Sequence, residues 1–145
     1  MNLPWYVTAL GAALVWGIHY PLVDFALKRI SVFSVLLLTV LPVVLLMPLF
    51  LRDLAKDLDV VTALPIAERG AIAAIGLTSL SGAVLLYLSI AGKNATLASL
   101  IEITYPVFVA LFAYLMFRHI HLNTSVIIGG LLVMAGAGLI IYHNQ

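Results

Sequence analysis

The hydropathy pattern of the chain consists of five long apolar stretches joined by shorter polar segments. The stretches cover approximately residues 3–27, 32–51, 66–91, 95–117 and 125–142. A helix needs about 20 mostly apolar residues to cross the hydrocarbon core of a bilayer, so each stretch has the length of a membrane span. The pattern therefore predicts an all-α integral membrane protein, with five transmembrane helices in a single domain over residues 1–145.

The longest polar segment follows the second stretch and covers residues 52–69. Its apolar residues Leu54, Leu58 and Val61 recur at helical spacing, opposite a charged face. This pattern is typical of a short amphipathic helix on the membrane surface. The aspartates of the charged face are interpreted as solvated groups and not as a cation site.

Composition supports this class and excludes several functions. Hydrophobic residues make up 64% of the chain and charged residues 9%, whereas soluble domains have about 25% charged residues. Without cysteine there is no disulfide framework, zinc finger or thiol nucleophile, and a net charge of +1 gives no footprint for nucleic acid. The glycines of the fifth stretch follow no strand and have no basic neighbours, so they indicate helix packing and not a phosphate loop. We therefore expect no cofactor and no metal.

One acid lies deep inside the fourth stretch. Glu102 is four residues before Pro106, and a helical proline has no N–H to donate to the carbonyl four residues back, which here belongs to Glu102. An intramembrane carboxylate is costly and by default marks an ion or substrate path. Glu102 is thus a candidate site for a proton or a cation, and Tyr105 lies on the same helix face. The alternative is a glutamate that only hydrogen-bonds a neighbouring helix.

The first stretch brings a second set of polar and aromatic residues to the same depth. Trp16, His19 and Tyr20 cluster there and form either an interfacial aromatic belt or the wall of a cavity. His19 lies nine residues before Lys28, and Glu102 nine residues after Lys93. At 1.5 Å per residue both are about 13 Å inside the same membrane boundary. We therefore expect the two groups to meet, with Trp16 and Tyr105 nearby.

Three further features concern the shape and contacts of the helices. Pro21 lies well inside the first stretch and is, with Pro106, a candidate helix bend. Ser81 offers a hydroxyl to a ligand from the small-residue third stretch, although such hydroxyls more often bond to their own helix. Gly92 ends that stretch and Asn94 can cap the next, which predicts that the third and fourth spans are antiparallel neighbours.

Three segments together resemble a known family. WGIHYPLVDFALK, ATLASLIEITYPVFVALFAYLMF and IIGGLLVMAGAGLII are similar to the first, fourth and fifth helices of the EamA domain of the drug/metabolite transporter superfamily. Two positions depart from the family pattern. Its acid directly before the fourth-helix proline is replaced here by Tyr105, with Glu102 a turn earlier, and its loop acid is absent from FRHIHL, which leaves His119 near that place.

The resemblance implies a partner for this domain. Family members typically have ten helices in two inverted five-helix repeats, so one five-helix repeat is half of that fold. It implies a homodimer with antiparallel subunits in the plasma (inner) membrane. The charges are compatible with either insertion, because four basic residues fall on the N-terminal side of the predicted topology and three on the other. These residues are Arg52, Lys56, Arg69 and Arg118, and Lys28, Arg29 and Lys93.

The residues and the resemblance together favour a secondary transporter that moves a small organic metabolite or drug by alternating access. Glu102 would couple to protons or bind a cationic group, and Trp16, Tyr20 and Tyr105 would form walls of a cavity between the first, third and fourth spans of each subunit. The alternative is a non-transporting membrane subunit that assembles with another membrane protein or handles lipid. An intramembrane enzyme is disfavoured, because Glu102 and His19 are the only candidate acid–base pair.

Overall fold

The computed structural model describes residues 4–118 and 123–144, which form helices and contain no strand. The α-helices are α1 (Trp5–Leu27), α2 (Val32–Leu46), α3 (Leu51–Ala63), α4 (Ile66–Gly92), α5 (Ala95–Glu102), α6 (Tyr105–Phe117) and α7 (Thr124–His143). In the described part of the chain, five helical segments are long and apolar enough to cross a membrane: α1, α2 with α3, α4, α5 with α6, and α7. The predicted class of an all-α membrane protein with five transmembrane helices is confirmed.

The second segment is longer than a single span. A 3₁₀ turn over Met47–Phe50, with Pro48 near its start, joins α2 directly to α3. The tighter turn follows from Pro48, which cannot donate to the carbonyl of Val44. The helix predicted from the polar connector is therefore present as α3, and it continues the second span without a loop.

Side-chain caps define the starts of three helices. Ser31, Asn94 and Asn123 each accept a hydrogen bond from the backbone N–H three residues later, which satisfies one of the unpaired N–H groups of a first turn. The predicted cap at Asn94 is confirmed, with 2.8 Å between its Oδ1 and the nitrogen of Leu97. As predicted, the short turn after Gly92 makes α4 and α5 packed neighbours.

The best-packed part of the molecule lies at one end of the bundle, where α1 ends, α2 begins, α4 ends and α5 begins. Its core contains Val23, Val35, Leu36, Tyr87, Ile90, Ala95 and Ala98. The C-terminal end of α7 joins this end, because the Nζ of Lys93 donates to the carbonyl of Asn144 over 3.1 Å. We refer to this region as the packed end.

The opposite end of the bundle is more open. None of the described residues of α6 is buried, and a cavity of about 640 Å³ separates α6 from α7, lined almost wholly by apolar side chains such as Val107, Leu111 and Met134. The two helices come close at Gly130, where an added Cβ would be 3.4 Å from the side chain of Val107. We refer to this region as the open end.

Candidate functional site

Three aromatic side chains of α1 lie together near the middle of the helix. Trp16 and His19 are in an edge-to-face arrangement with 5.1 Å between ring centroids, and Trp16 lies 5.5 Å from Tyr20. The spacing of three and four residues brings them to one side of the helix. The cluster predicted from the sequence is therefore formed, and its members have different partners on other helices.

Tyr20 joins α1 to the fourth span through Glu102. The Tyr20 hydroxyl donates to Oε2 of Glu102 over 2.7 Å, and both side chains are partly buried. Neither of the two ion pairs found among the described residues includes Glu102. Among the described residues its carboxyl group is therefore held by a hydroxyl donor and is not paired with a cation.

Glu102 is also the last residue of α5, at a break in the fourth span. Ile103 and Thr104 form a turn before α6 begins at Tyr105, and the N–H of Thr104 bonds to the carbonyl three residues back. Pro106 explains the break, since it has no N–H for the carbonyl of Glu102. The acid and the helix break therefore occupy the same turn.

His19 meets a residue that sequence reasoning missed. Its Nε2 lies 3.2 Å from the hydroxyl of Tyr87 on α4, and Tyr87 is only 4% exposed. His19 and Glu102 were expected to meet, but no hydrogen bond joins them. His19 bonds to Tyr87 and Glu102 bonds to Tyr20. One signal could have found Tyr87: it lies six residues before Lys93, about 9 Å inside the same boundary.

A second cavity, of about 740 Å³, lies between α1, α2 and α4. Its wall is mostly aliphatic, with polar or aromatic groups from Trp16, His19, Thr39, Ser79 and Tyr87. We call it the three-helix cavity. The residues described as lining it belong to the first three spans, so the cavity predicted between the first, third and fourth spans has α2 where the fourth span was expected. Glu102 lies outside it, beyond Tyr20.

The remaining predicted site residues make no hydrogen bond to another helix in the described part of the chain. Tyr105 is 58% exposed. Ser81 is exposed, and its hydroxyl donates to the carbonyl of Leu77 on its own helix. This agrees with the alternative that such hydroxyls bond to their own helix and not to a ligand. Pro21 lies inside α1, which stays one helix from Trp5 to Leu27. His119 lies outside the described residues.

The charged residues near this cluster lie at the C-terminal end of α1. Asp24 pairs with Lys28 one turn later over 3.3 Å, and the guanidinium of Arg29 lies 3.6 Å from the ring centroid of Phe25. Among residues 4–118 and 123–144, no group of three or more His, Asp or Glu side chains could hold a metal ion.

Comparison with known proteins identifies one family. The model of the EamA-like transporter family matches residues 3–142, nearly the whole chain. No curated protein and no solved structure gives a significant match.

Proposed function

The chain belongs to the EamA-like transporter family, and on this basis we propose that it is a secondary transporter of a small organic metabolite or drug. It would work by alternating access in the plasma (inner) membrane. The observation that supports this most strongly is the position of Glu102, a partly buried acid at the break of the fourth span that takes part in neither ion pair of the described residues. Intramembrane acids at broken helices are typical of transport sites.

The proposed role of Glu102 is to couple transport to the binding of a proton or of a cationic group. As a carboxylate it accepts the hydroxyl hydrogen of Tyr20 and so ties α1 to the end of α5. A proton or a cationic group of the substrate would satisfy the same oxygens and weaken that tie. The occupant of Glu102 would then decide whether the two spans stay joined, which is the differential interaction that a change between two conformations requires.

We also propose that two copies assemble in antiparallel orientation, as the two repeats of a ten-helix family member would. Two observations support an assembly. A Cβ added at Gly136 or Gly138 of α7 would meet no atom within 4 Å beyond the adjoining backbone of its own helix, so these positions are open for close packing with another helix. The basic residues are also nearly balanced across the membrane, which is compatible with insertion in both orientations.

Proteoliposomes with a trapped pH-sensitive dye test transport and coupling together. A panel of small organic compounds is added outside, and both compound uptake and internal pH are followed. We expect at least one compound to move and to shift the internal pH, and we expect Glu102→Gln to abolish the pH shift. Asp24→Asn is the matched control, since it removes a carboxylate paired with Lys28 at the end of α1. Uptake with no pH shift in the unchanged protein would contradict proton coupling.

Failure of every compound, together with a stoichiometric membrane partner that copurifies, would favour the non-transporting subunit instead. The antiparallel arrangement has its own test, with reporters active on one side of the membrane fused after Gln145. Equal signal from both reporters is the expected result. Signal from one reporter alone would exclude an antiparallel homodimer.

A further inference from the structure

We propose that the three-helix cavity binds an uncharged, planar aromatic molecule that has a hydrogen-bonding group. The volume of about 740 Å³ lies in the range of sites for small organic ligands, roughly 300–1,000 Å³. The inference that this ligand is the transported substrate rests on the proposed function. The inference that the cavity binds such a ligand rests on the cavity lining alone.

The aromatic preference comes from one wall of the cavity. Trp16, His19 and Tyr87 all line it, and Trp16 is 51% exposed although it touches His19 and Tyr20. A large part of the indole surface is therefore uncovered by the chain itself. Aromatic rings stack on such a surface in offset or edge-to-face geometry, which adds attraction beyond simple burial.

The hydrogen-bonding requirement comes from polar groups that lack partners. The hydroxyl of Thr39 donates to the carbonyl of Leu36 on its own helix, as hydroxyls in membrane helices commonly do. Ser79 also lines the cavity, and its hydroxyl has no hydrogen-bond partner within residues 4–118 and 123–144. His19 uses Nε2 for Tyr87, and its Nδ1 likewise has no partner in the described part of the chain. An acceptor or donor on a ligand would satisfy these groups.

The prediction that the ligand is uncharged comes from the residues that line the cavity. Among the described residues, the cavity wall includes no Asp, Glu, Lys or Arg. Glu102, the intramembrane acid, is engaged by Tyr20 and does not line this cavity. A charged ligand would lose its hydration here without gaining a counter-ion, which is costly in an apolar surrounding. A neutral ligand avoids that cost.

The position of the cavity also separates the binding of this ligand from coupling. His19 lines the cavity and Tyr20, the next residue of α1, bonds to Glu102. A ligand that contacts His19 therefore acts on the same turn of α1 that holds the carboxylate. The neutral ligand and the proton would then occupy neighbouring sites, so they need not compete for one group.

The test uses Trp16 as its own reporter. The chain has two tryptophans, and Trp5→Phe leaves Trp16 alone in the protein, which is measured in nanodiscs. The probe is 7-methoxycoumarin, a neutral planar molecule with a carbonyl acceptor, which takes up the energy of tryptophan emission. We expect saturable quenching of Trp16, with little competition from naphthalene, which lacks a hydrogen-bonding group, or from N-methylquinolinium, which is charged.

Two glycines of α4 offer a matched pair of variants. Gly76 lines the cavity and Gly82 lines neither of the two cavities described above, and an added Cβ meets no atom within 4 Å at either position. We expect Gly76→Leu to fill the cavity and abolish saturable quenching, and Gly82→Leu to leave it unchanged. Ser79→Ala, a smaller change that keeps the fold, should weaken binding about 3- to 10-fold, as the loss of a single hydrogen bond does.

Equal quenching in Gly76→Leu and Gly82→Leu, or equal competition by naphthalene or N-methylquinolinium, would overturn the inference. Quenching that rises linearly in every variant would show partition into lipid and would overturn it too. The proposed function is judged separately. Transport of a compound that persists in Gly76→Leu would overturn the cavity as a substrate site, whereas saturable binding by a protein that moves no compound would contradict the transport proposal alone.

Discussion

The packed end and the open end of the bundle are built from different kinds of residue. At the packed end α5 buries Ala95 and Ala98 against its neighbours, because small side chains let membrane helices approach closely. At the open end α6 presents Phe108 and Phe112 outward and leaves a cavity beside α7. The two halves of one span therefore differ in packing, and Glu102 ends the packed half.

This difference places Glu102 at the boundary between a well-packed helix, α5, and a loosely packed one, α6. Under the proposed function, a ligand or proton at Glu102 would act where a well-packed helix meets a loosely packed one, and elements with few buried contacts are the ones that move at low cost. The break at Ile103 and Thr104 is a natural place for a hinge, because a few residues at the end of an element absorb such changes. We therefore expect mutations at the packed end to change the stability of the protein more than mutations at the open end.

The largest effect is expected in the packed core. Ile90 is 1% exposed, and truncation of a buried Ile to Ala typically costs about 2–5 kcal/mol. We expect Ile90→Ala to lower the free energy of unfolding in mixed detergent micelles by an amount in this range. Leu85→Ala on the same helix, at a position 68% exposed, is the control and should have a small effect. Equal losses would show that the packed end has no special role in stability.

The link between α1 and Glu102 comes next. Tyr20→Phe keeps the ring and removes the hydroxyl that Glu102 accepts. Hydrogen bonds to charged groups contribute about 1.5–3 kcal/mol, and we expect a loss of that size in the same unfolding measurement. Tyr6→Phe is the matched control, because the hydroxyl of this exposed tyrosine has no hydrogen-bond partner among residues 4–118 and 123–144. A Tyr20→Phe protein as stable as this control would argue against the link.

The cap that begins the packed half of the fourth span is expected to have a smaller effect. Asn94→Ala removes the acceptor for the N–H of Leu97, and loss of such a cap costs about 1 kcal/mol. Thr96→Ala changes a neighbouring exposed position whose hydroxyl has no partner among the described residues. Unfolding midpoints compare the two, and a larger shift for Thr96→Ala would be the contrary result.

The smallest effect is expected at the open end. Arg118 ends α6 with a positive φ of 57°, a conformation that glycine adopts without strain. Arg118→Gly should stabilise the protein by less than about 1 kcal/mol, after the loss of the contact between the guanidinium and the ring of Tyr114. Arg118→Ala keeps the strain and loses the contact, so it should not stabilise. Thermal unfolding of both variants distinguishes relief of strain from a general effect of truncation.

Sequence reasoning identified the membrane class, the five helices, the cap at Asn94 and the acid beside the helix break. It predicted a common depth for His19 and Glu102, since counting residues from a helix end gives the position along the axis. It did not find that Tyr87 pairs with His19 or that α2 closes the cavity beside α1. Both depend on the rotation of helices about their axes, and helices that are apolar all round contain little information on which side faces a neighbour.

The central prediction is that the bundle has a fixed packed end and a movable open end, with Glu102 at the boundary between them in the fourth span. Because the chain has no cysteine, spin labels can be attached at pairs of introduced cysteines without background. One pair, at Phe25 and Leu88, lies at the packed end, and another, at Ile66 and Met116, at the open end; all four positions are exposed. Double electron–electron resonance would measure both distances with and without Glu102→Gln. We predict that only the distance at the open end shifts or broadens; equal change at both ends, or none at the open end, would contradict the account.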